Sequence, residues 1–235
     1  MKGVEIVFQN KDFLVLNKPA GLLVHGAPYF KEKQPTLVDW LVKNFPQVKK
    51  VGDDPIWRPG IVHRLDKETS GALLVCLHQE SFDYFKNLFA QRQIKKTYLA
   101  VVRGQLKNKT GVINLPLGIK KGTTKRTIFS SKMTKEAITE YKVLKEFKKG
   151  EEWFSLLEIM PLTGRTHQIR VHLNFLNHPV VGDKIYGGKK NASLASRLML
   201  HAFSLEFSDW RNQRYKIEAP LPDDFFSFLG FDFDK

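Results

Sequence analysis

The chain has 235 residues and 42% hydrophobic content, which is enough apolar material for a folded core and argues against wholesale disorder. Its formal net charge of +14 favours a polyanionic partner and has no bearing on the fold. A soluble cytoplasmic protein without a membrane partner is expected, because residues 1–12 carry charges where a signal peptide needs apolar residues, and the apolar run 72–77 is too short to span a bilayer.

The first 76 residues predict short strands, one helix and a polar loop. Residues 6–25 contain β-rich runs broken by turn residues. Residues 36–44 predict a helix with Thr36 as N-cap. Residues 60–76 predict a strand, a polar loop and a second strand. Cys76 at its end is the only cysteine, so no internal disulfide can form and the thiol is expected to be buried.

The rest of the chain predicts many strands and few helices. The expected elements are a helix over 80–92, a strand over 97–104, short strands with basic loops over 112–147, a strand over 153–162, a helix over 166–176 and late strands over 197–207 and 214–221. No strand–helix alternation recurs, so a parallel doubly wound sheet is not expected. The order favours an α+β domain with a large, mostly antiparallel sheet.

The segment 60–76, GIVHRLDKETSGALLVC, groups five ionisable residues around a single leucine. Arg64 and Lys67 flank Asp66 and can stabilise its negative charge. An ionised carboxylate in a cleft can act as a nucleophile or a general base. The alternative is a polar turn, because the following Thr-Ser-Gly is typical of turns. A turn, however, rarely needs both His63 and Arg64 beside a carboxylate.

A second polar cluster is PLTGRTHQIRVHLNFLNHP, residues 161–179. Thr166 is the expected N-cap of the predicted helix, which places Arg165 at the positive end of the helix dipole. A cation is tolerated there more easily when an anion lies opposite, either a carboxylate such as Asp66 or a phosphate. The alternative is a solvated loop arginine.

Neither a metal site nor a nucleotide cofactor site is expected. His167 and His172 are five residues apart and do not share a helical face, and no neighbouring Cys or carboxylate completes a ligand set. Neither GxxxxGK nor GxGxxG occurs, and the Gly–Gly of DKIYGGKK, residues 183–190, is more typical of a turn.

Other features allow both nucleic-acid and structural interpretations. Tyr98 follows Lys95 and Lys96 at the start of a strand, where its ring either belongs to the sheet core or faces a flipped base. Residues 117–150 contain ten Lys and Arg against three Glu, which suits RNA phosphates. A solvated surface is the alternative there, and no basic amphipathic helix favours an anionic membrane. The phenylalanines of 223–233 are expected to pack on the domain.

Eight sequence motifs follow one another along nearly the whole chain, and both their residues and their order are informative. They are NKPAGLLVH (17–25), GIVHRLDKETSGALLV (60–75), KKTYLAVVRG (95–104), AITEYKVL (137–144), LTGRTHQIRVHL (162–173), HPVVGDKIYG (178–187), RLMLHAFSLEF (197–207) and APLPDDF (219–225). Together they resemble the RluA-like pseudouridine synthases, enzymes that isomerise uridine in RNA. The combination of HRLDKETSG with TGRTHQIRVH makes the resemblance highly specific.

The resemblance implies roles for the motif residues. Asp66 is implied to be the catalytic residue, either attacking C1′ of the ribose or deprotonating C2′. Tyr98 is implied to lie against the target base, and Arg165 to pair with Asp66. Arg64 is implied to enter the RNA and hold the target nucleotide out of its stack, while Leu200 lines the apolar side of the pocket. No metal and no cofactor is implied.

The full set of expected RNA or substrate contacts is Arg64, His63, Leu200, Lys95, Lys96 and Arg170. The implied fold is α+β, with a large, bent, mixed, mainly antiparallel sheet, flanking helices and a central active-site cleft. It forms a single catalytic domain over 1–235 with two subdomains around the cleft. Because NKPAGLLVH begins at residue 17, we expect a form that lacks the N-terminal S4 RNA-binding domain of many relatives, so RNA contact is assigned to 117–150.

Relatives of this form modify tRNA or 23S-type large-subunit rRNA, and the sequence favours neither class. A monomer without an obligate protein partner is expected. One alternative is a noncatalytic RNA-binding or RNA-chaperone module on the same fold. A chain of that kind would be expected to lack Asp66, Tyr98 or Arg165, and all three are present here. The other, a metal-dependent nuclease, needs clustered carboxylates, and the central motifs supply only Asp66 and Glu68.

Overall fold

The computed structural model describes residues 3–26, 34–123, 125–129 and 133–230. Within these residues, nine strands belong to one large sheet and two short strands form a separate hairpin. The predicted α+β class with a large, mixed, mainly antiparallel sheet is confirmed. The bend of the sheet, the central cleft and the single domain over 1–235 stay predictions.

The chain divides into two compact units. Unit A contains Met1–Lys95 and Ala202–Pro220, and unit B contains Lys96–His201 and Leu221–Lys235. Each unit has an apolar core of its own.

Unit A is built mainly from antiparallel strands and two amphipathic helices. Its elements are β1 (Glu5–Gln9), β2 (Phe13–Lys18), α1 (Leu37–Asn44), a 3-10 helix (Pro46–Lys50), β3 (Ser70–Cys76), α2 (Gln79–Ala90), most of β10 (Leu200–Ser208) and β11 (Arg214–Glu218). β2 pairs with β1 and β3, and β10 pairs with β11, all antiparallel. Gly71 on β3 has a φ of +115°, and a Cβ there would overlap the Ala202 carbonyl oxygen, so this close approach requires glycine.

The local sequence accounts for both helices of unit A. Thr36 Oγ1 accepts the Asp39 N–H at 3.2 Å, and the Asp39 carboxylate accepts the Thr36 N–H at 2.8 Å, which completes a capping box. Helix α2 turns Phe82 and Phe85 into the core. The predicted strand at the start of 60–76 is wrong, since its described pairing is one isolated bridge between Ile61 and Val75.

Unit B combines four long strands with a basic hairpin and three helices. Its elements are β4 (Lys95–Arg103, from Lys96), β5 (Thr110–Asn114), β6 (Gly118–Ile119), β7 (Arg126–Thr127), β8 (Ile138–Lys149), β9 (Glu152–Pro161), α3 (Gln168–Phe175), α4 (Gly188–Ala192) and α5 (Asp223–Leu229). The long strands are ordered β4-β9-β8-β5, and β6 pairs with β7. All these pairings are antiparallel.

Two features of unit B differ from or extend the sequence prediction. The N-cap of α3 is His167, with a φ of 59° and no side-chain cap bond, so Thr166 as N-cap is wrong. Helix α5 was not predicted. Its Phe225 and Phe228 are buried, as expected for the phenylalanine-rich tail, whereas residues 231–235 lie outside the described part of the chain.

The structure also bears on the single cysteine and on possible membrane-spanning helices. Cys76 is fully buried, as predicted, and burial raises the pKa of its thiol. Among the helices that the structure describes, none is long and apolar enough to cross a membrane.

Candidate active site

The loop between Ile61 and Thr69 presents the expected catalytic aspartate. Leu65 is 4% exposed, whereas Arg64 before it is exposed and Asp66 after it is half-buried. The Thr69 N–H donates to the Asp66 carbonyl oxygen at 3.2 Å, which closes a turn directly after the aspartate. One buried leucine therefore anchors a loop on which Arg64 and Lys67 are exposed and Asp66 is half-buried.

Lys18 organises the backbone next to Asp66. Its side chain is fully buried, and Nζ donates to the carbonyl oxygens of Pro19 and Leu22, each at 2.8 Å, and of Lys67 at 3.1 Å. A buried ammonium requires such acceptors, because its desolvation is costly unless its protons are bonded. Sequence reasoning missed this role; the available signal was a lysine ending an apolar strand directly before Pro-Ala-Gly.

His63 supports the interior of unit A. Its Nε2 accepts the Leu74 N–H at 2.8 Å, so the ring bears its proton on Nδ1. The ring also stacks on Phe89 of α2, with centroids 4.4 Å apart. β3 and α2 engage one ring nitrogen and one ring face, and the RNA contact of His63 stays a prediction.

Tyr98 and Leu200 pack in the same apolar cluster of unit B. Tyr98 lies on β4, opposite Ile159 of β9, and is half-buried. Leu200, at the start of β10, is 3% exposed, and Ile169 of α3 belongs to the same cluster. Tyr98 thus packs on the core and keeps an accessible portion, which is compatible with both the sheet-core and the base-stacking alternatives.

The turn that carries Arg165 is fixed by the buried side chain of Gln168. Its Oε1 accepts the Thr163 hydroxyl at 2.7 Å and the Arg165 N–H at 3.0 Å. Its Nε2 donates to the Ile138 carbonyl oxygen and to Thr139 Oγ1, each at 2.9 Å. Both acceptor and both donor positions of the amide are used. Gln168 lies inside a motif quoted from the sequence, but sequence reasoning gave it no role.

The Arg165 side chain is half-buried and fixed at one end. Its Nε donates to the Glu136 carbonyl oxygen at 2.9 Å. Because Gln168 bonds the Arg165 N–H, the loop enters α3 without the Thr166 cap expected from the sequence. The pairing of Arg165 with Asp66 stays a prediction.

Arg170 forms a buried ion pair. It is 3% exposed, and its Nε and Nη2 donate to the Asp183 carboxylate at 2.7 and 2.8 Å. Burial alone would raise the pKa of Asp183, but the hydrogen bonds and charge of Arg170, with the Tyr186 and Ile185 N–H groups, hold that pKa below its usual range. The RNA contact predicted for Arg170 stays a prediction, although its guanidinium is engaged in this buried pair.

The two lysines before Tyr98 differ in environment. Lys95 is 56% exposed at its side chain, and its Nζ lies 3.3 Å from the Glu206 carboxylate. Exposed pairs of this kind contribute little and exchange easily, so phosphate contact by Lys95 stays a prediction. Lys96 is half-buried, and its RNA contact also stays a prediction.

In the described ranges, no group of three or more His, Cys, Asp and Glu could hold a metal ion. The two histidines considered from the sequence have separate partners. His167 Nδ1 lies 2.9 Å from the Tyr186 hydroxyl. His172 Nε2 lies 3.0 Å from the Leu115 carbonyl oxygen and its Nδ1 lies 2.9 Å from Thr139 Oγ1. Burial lowers the pKa of His172, although its bond to Leu115 partly opposes this shift.

Known proteins are similar to this chain in sequence and in fold. The family model described as RNA pseudouridylate synthase matches residues 12–175, a range that includes Asp66, Tyr98 and Arg165. "Ribosomal large subunit pseudouridine synthase D" of Borreliella burgdorferi is 35% identical, covering 97% of this chain and 68% of the relative. A protein of the same name from Blochmanniella floridana is 34% identical, covering 97% of this chain and 72% of the relative.

A solved structure agrees with these relatives. "Human RNA Pseudouridylate Synthase Domain Containing 1" superposes with a TM-score of 0.78 at 30% identity, covering 94% of this chain and 84% of the human chain. The family model, the sequence matches over nearly the full chain and the fold match all indicate the same family. The chain therefore belongs to the RNA pseudouridylate synthase family and is an isomerase that acts on RNA.

Proposed function

We propose that this enzyme converts specific uridines of large-subunit ribosomal RNA to pseudouridine. The observation that carries the proposal is the match of 97% of the chain to two relatives named for the large ribosomal subunit. Transfer RNA is the second candidate substrate class, because the motifs are shared with modifiers of both. The noncatalytic RNA-binding alternative is not favoured.

The proposed reaction moves one bond and conserves all atoms. The N1–C1′ bond of uridine breaks, the uracil ring turns, and a C1′–C5 bond forms. The C5 proton leaves and N1 gains a proton, so no oxidant or reductant is consumed. Asp66 either attacks C1′ or removes the C2′ proton, and both routes require a carboxylate close to the ribose.

Local geometry supports the proposed roles in unit A. The half-buried Asp66 lies on a loop held by Leu65 and by the ammonium of Lys18. Arg64 is exposed, which suits insertion into an RNA stack. Flipping the target nucleotide costs on the order of a few kcal/mol, and a side chain that occupies the vacated position offsets part of that cost.

Local geometry also supports the proposed roles in unit B. The half-buried ring of Tyr98 and the buried Leu200 offer an apolar surface to a uracil base. Gln168 fixes the backbone of Arg165, and the Glu136 carbonyl oxygen accepts from its Nε; together they preorganise this cation for Asp66 or for a phosphate.

The basic segment 117–150, with Lys132 outside the described residues, is the proposed RNA-binding surface. In the hairpin β6–β7, Lys120, Lys121 and Lys125 are exposed. Exposed cations of this kind neutralise RNA phosphates and release their condensed counterions. We further propose that the enzyme acts in the cytoplasm as a monomer, without an obligate protein partner, metal or cofactor.

Unmodified transcripts test the substrate class. Large-subunit rRNA and pooled tRNA from the source organism would be transcribed without modification, incubated separately with enzyme and digested to nucleosides for chromatography. We expect pseudouridine in the rRNA digest. Pseudouridine in the tRNA digest alone would replace the proposed substrate class, and none in either digest would contradict the proposed function.

A further inference from the structure

Tyr186 connects two parts of unit B that the proposed function uses separately. Its hydroxyl lies 3.0 Å from the backbone N of Arg126 in β7 and 2.9 Å from Nδ1 of His167. His167 belongs to the same turn as Arg165. We propose that Tyr186 is a positioning residue that links the RNA-binding hairpin β6–β7 to the turn carrying Arg165, an inference that rests on the proposed function.

The hydrogen-bonding capacity of the hydroxyl fits this link. The Arg126 N–H can only donate, so the Tyr186 oxygen accepts there. The second bond joins the Tyr186 oxygen to His167 Nδ1, and its direction is set by the His167 tautomer, because a hydroxyl can donate one bond and accept two. One hydroxyl therefore engages both the hairpin backbone and the turn that carries Arg165.

The ring of Tyr186 is held independently of its hydroxyl. The Tyr186 N–H donates to Asp183 Oδ1 at 3.0 Å, and the Arg170 guanidinium carbon lies 5.3 Å from the ring centroid. The ring also packs on a small apolar cluster composed of Leu117, Ala137 and Val171. The buried Arg170–Asp183 pair and this cluster thus deliver the hydroxyl to a fixed position.

Both linked segments need an outside support. The hairpin contains two paired positions per strand, closed by the Lys120 N–H bonded to the Lys125 carbonyl oxygen at 2.9 Å. Two such pairs are marginal without further contacts. His167 has a φ of 59°, a left-handed conformation that a non-glycine residue keeps only when its surroundings impose it. Gln168 supports the turn on one side, and Tyr186 supports it on the other.

Removing only the oxygen tests the link. Tyr186→Phe keeps the ring contacts and removes both bonds of the hydroxyl. We expect the single-turnover rate at saturating large-subunit rRNA to fall about threefold to tenfold, while the dissociation constant changes by less than about twofold. The matched control is Tyr84→Phe, which removes a 3.1 Å bond to the Ser208 carbonyl oxygen in unit A. It should lower thermal stability by a similar amount and leave the rate unchanged.

Substitutions at His167 distinguish two causes of a reduced rate: loss of the Tyr186–His167 hydrogen bond and a general loosening of the turn. Asn and Gly both tolerate the left-handed conformation, but only Asn offers a hydrogen-bonding group near the position of Nδ1, and its amide can donate or accept. His167→Asn should retain most of the rate, and His167→Gly should reduce it about as much as Tyr186→Phe. In the Tyr186→Phe background the effect of His167→Gly should largely disappear, because the bond it removes is already absent.

The outcomes distinguish this inference from the proposed function. If the wild-type and Tyr84→Phe enzymes form pseudouridine and Tyr186→Phe is as active as the wild type, the link is overturned and the proposed function stands. Equal, additive reductions from both His167 variants would also overturn it, because flexibility rather than the hydrogen bond would then be responsible. Wild-type enzyme inactive on rRNA and tRNA would overturn the proposed function and the link together.

Discussion

The Lys18 ammonium donates to the Lys67 carbonyl oxygen at 3.1 Å, and Lys67 directly follows Asp66. The Gly21 N–H donates to the same oxygen at 2.9 Å. The loop after β2 and the loop that carries Asp66 therefore meet at the Lys67 carbonyl oxygen. This relationship gives the NKPAG segment a physical role: it holds the backbone that positions the aspartate.

Lys18→Met should lower both stability and activity. It leaves three carbonyl oxygens without their ammonium donor, which should cost about 1–3 kcal/mol in the free energy of unfolding. Lys11→Met, at an exposed position of the same unit, is the matched control and should change little. Urea unfolding and single-turnover rates would check both variants. Equal stability of the two variants would contradict a supporting role for Lys18.

Removing the hairpin charges should weaken RNA binding in a salt-dependent manner. The triple variant Lys120→Ala, Lys121→Ala and Lys125→Ala removes three exposed cations. The slope of log K against log salt should become shallower by about 0.7–0.9 for each phosphate that is no longer neutralised. Its matched control is the triple alanine variant of Lys43, Lys49 and Lys50, which are exposed in unit A. An unchanged slope in the hairpin variant would show that these lysines are only solvated.

Asp183→Asn should strongly destabilise the protein. It leaves the guanidinium of Arg170 buried without a counter-charge, which typically costs about 3–5 kcal/mol. Asp53→Asn is the comparison, because Asp53 forms an exposed pair with Lys86 that should contribute less than about 1 kcal/mol. Chemical denaturation of both variants gives the two differences. A change near zero for Asp183→Asn would contradict the structural role of this pair.

Stability should depend on pH through His172. Burial lowers the pKa of His172, so the unfolded chain binds a proton at a pH where the folded chain does not. This contribution is fully present above the unfolded pKa of about 6.5 and is lost as pH falls toward the folded pKa. The wild-type free energy of unfolding should therefore decrease between pH 7 and pH 5.

His172→Gln should reduce that decrease, by at most about 1.4 kcal/mol per pH unit. His25, whose pKa is lowered by burial, contributes a slope of the same sign, so the decrease should shrink rather than vanish. Urea unfolding at pH 5, 6 and 7 measures the slope, with His178→Gln as the matched control. The same slope in His172→Gln and wild type would contradict the assignment.

Local signals were sufficient for much of the fold. Helix α1 follows from the Thr36 cap and from apolar residues at helical spacing, and α2 follows from its aromatic spacing. The expected Thr166 cap is absent. The Gln168 amide that bonds the Arg165 N–H is itself held by Ile138 and Thr139, and no local signal indicates these distant contacts.

The environments of charged residues were less accessible from the sequence. Asp66, Tyr98 and Arg165 could be named from their motifs, but Arg170 and His63 were expected at the RNA. Their partners, Asp183 and Phe89, lie 13 and 26 residues away in the chain, and no local pattern indicates such pairings. Only the folded arrangement shows that Arg170 is enclosed and that the His63 ring packs on Phe89.

The most direct test of the account is tritium release from large-subunit rRNA transcribed with 5-tritiated uridine, because the proposed reaction loses the C5 proton. Wild-type enzyme should release tritium, and so should Asp83→Asn, which changes an exposed aspartate of unit A. Asp66→Asn should release none above background while folding normally and binding the same RNA. Release by Asp66→Asn at the wild-type rate would contradict the central claim that the Asp66 carboxylate carries the chemistry.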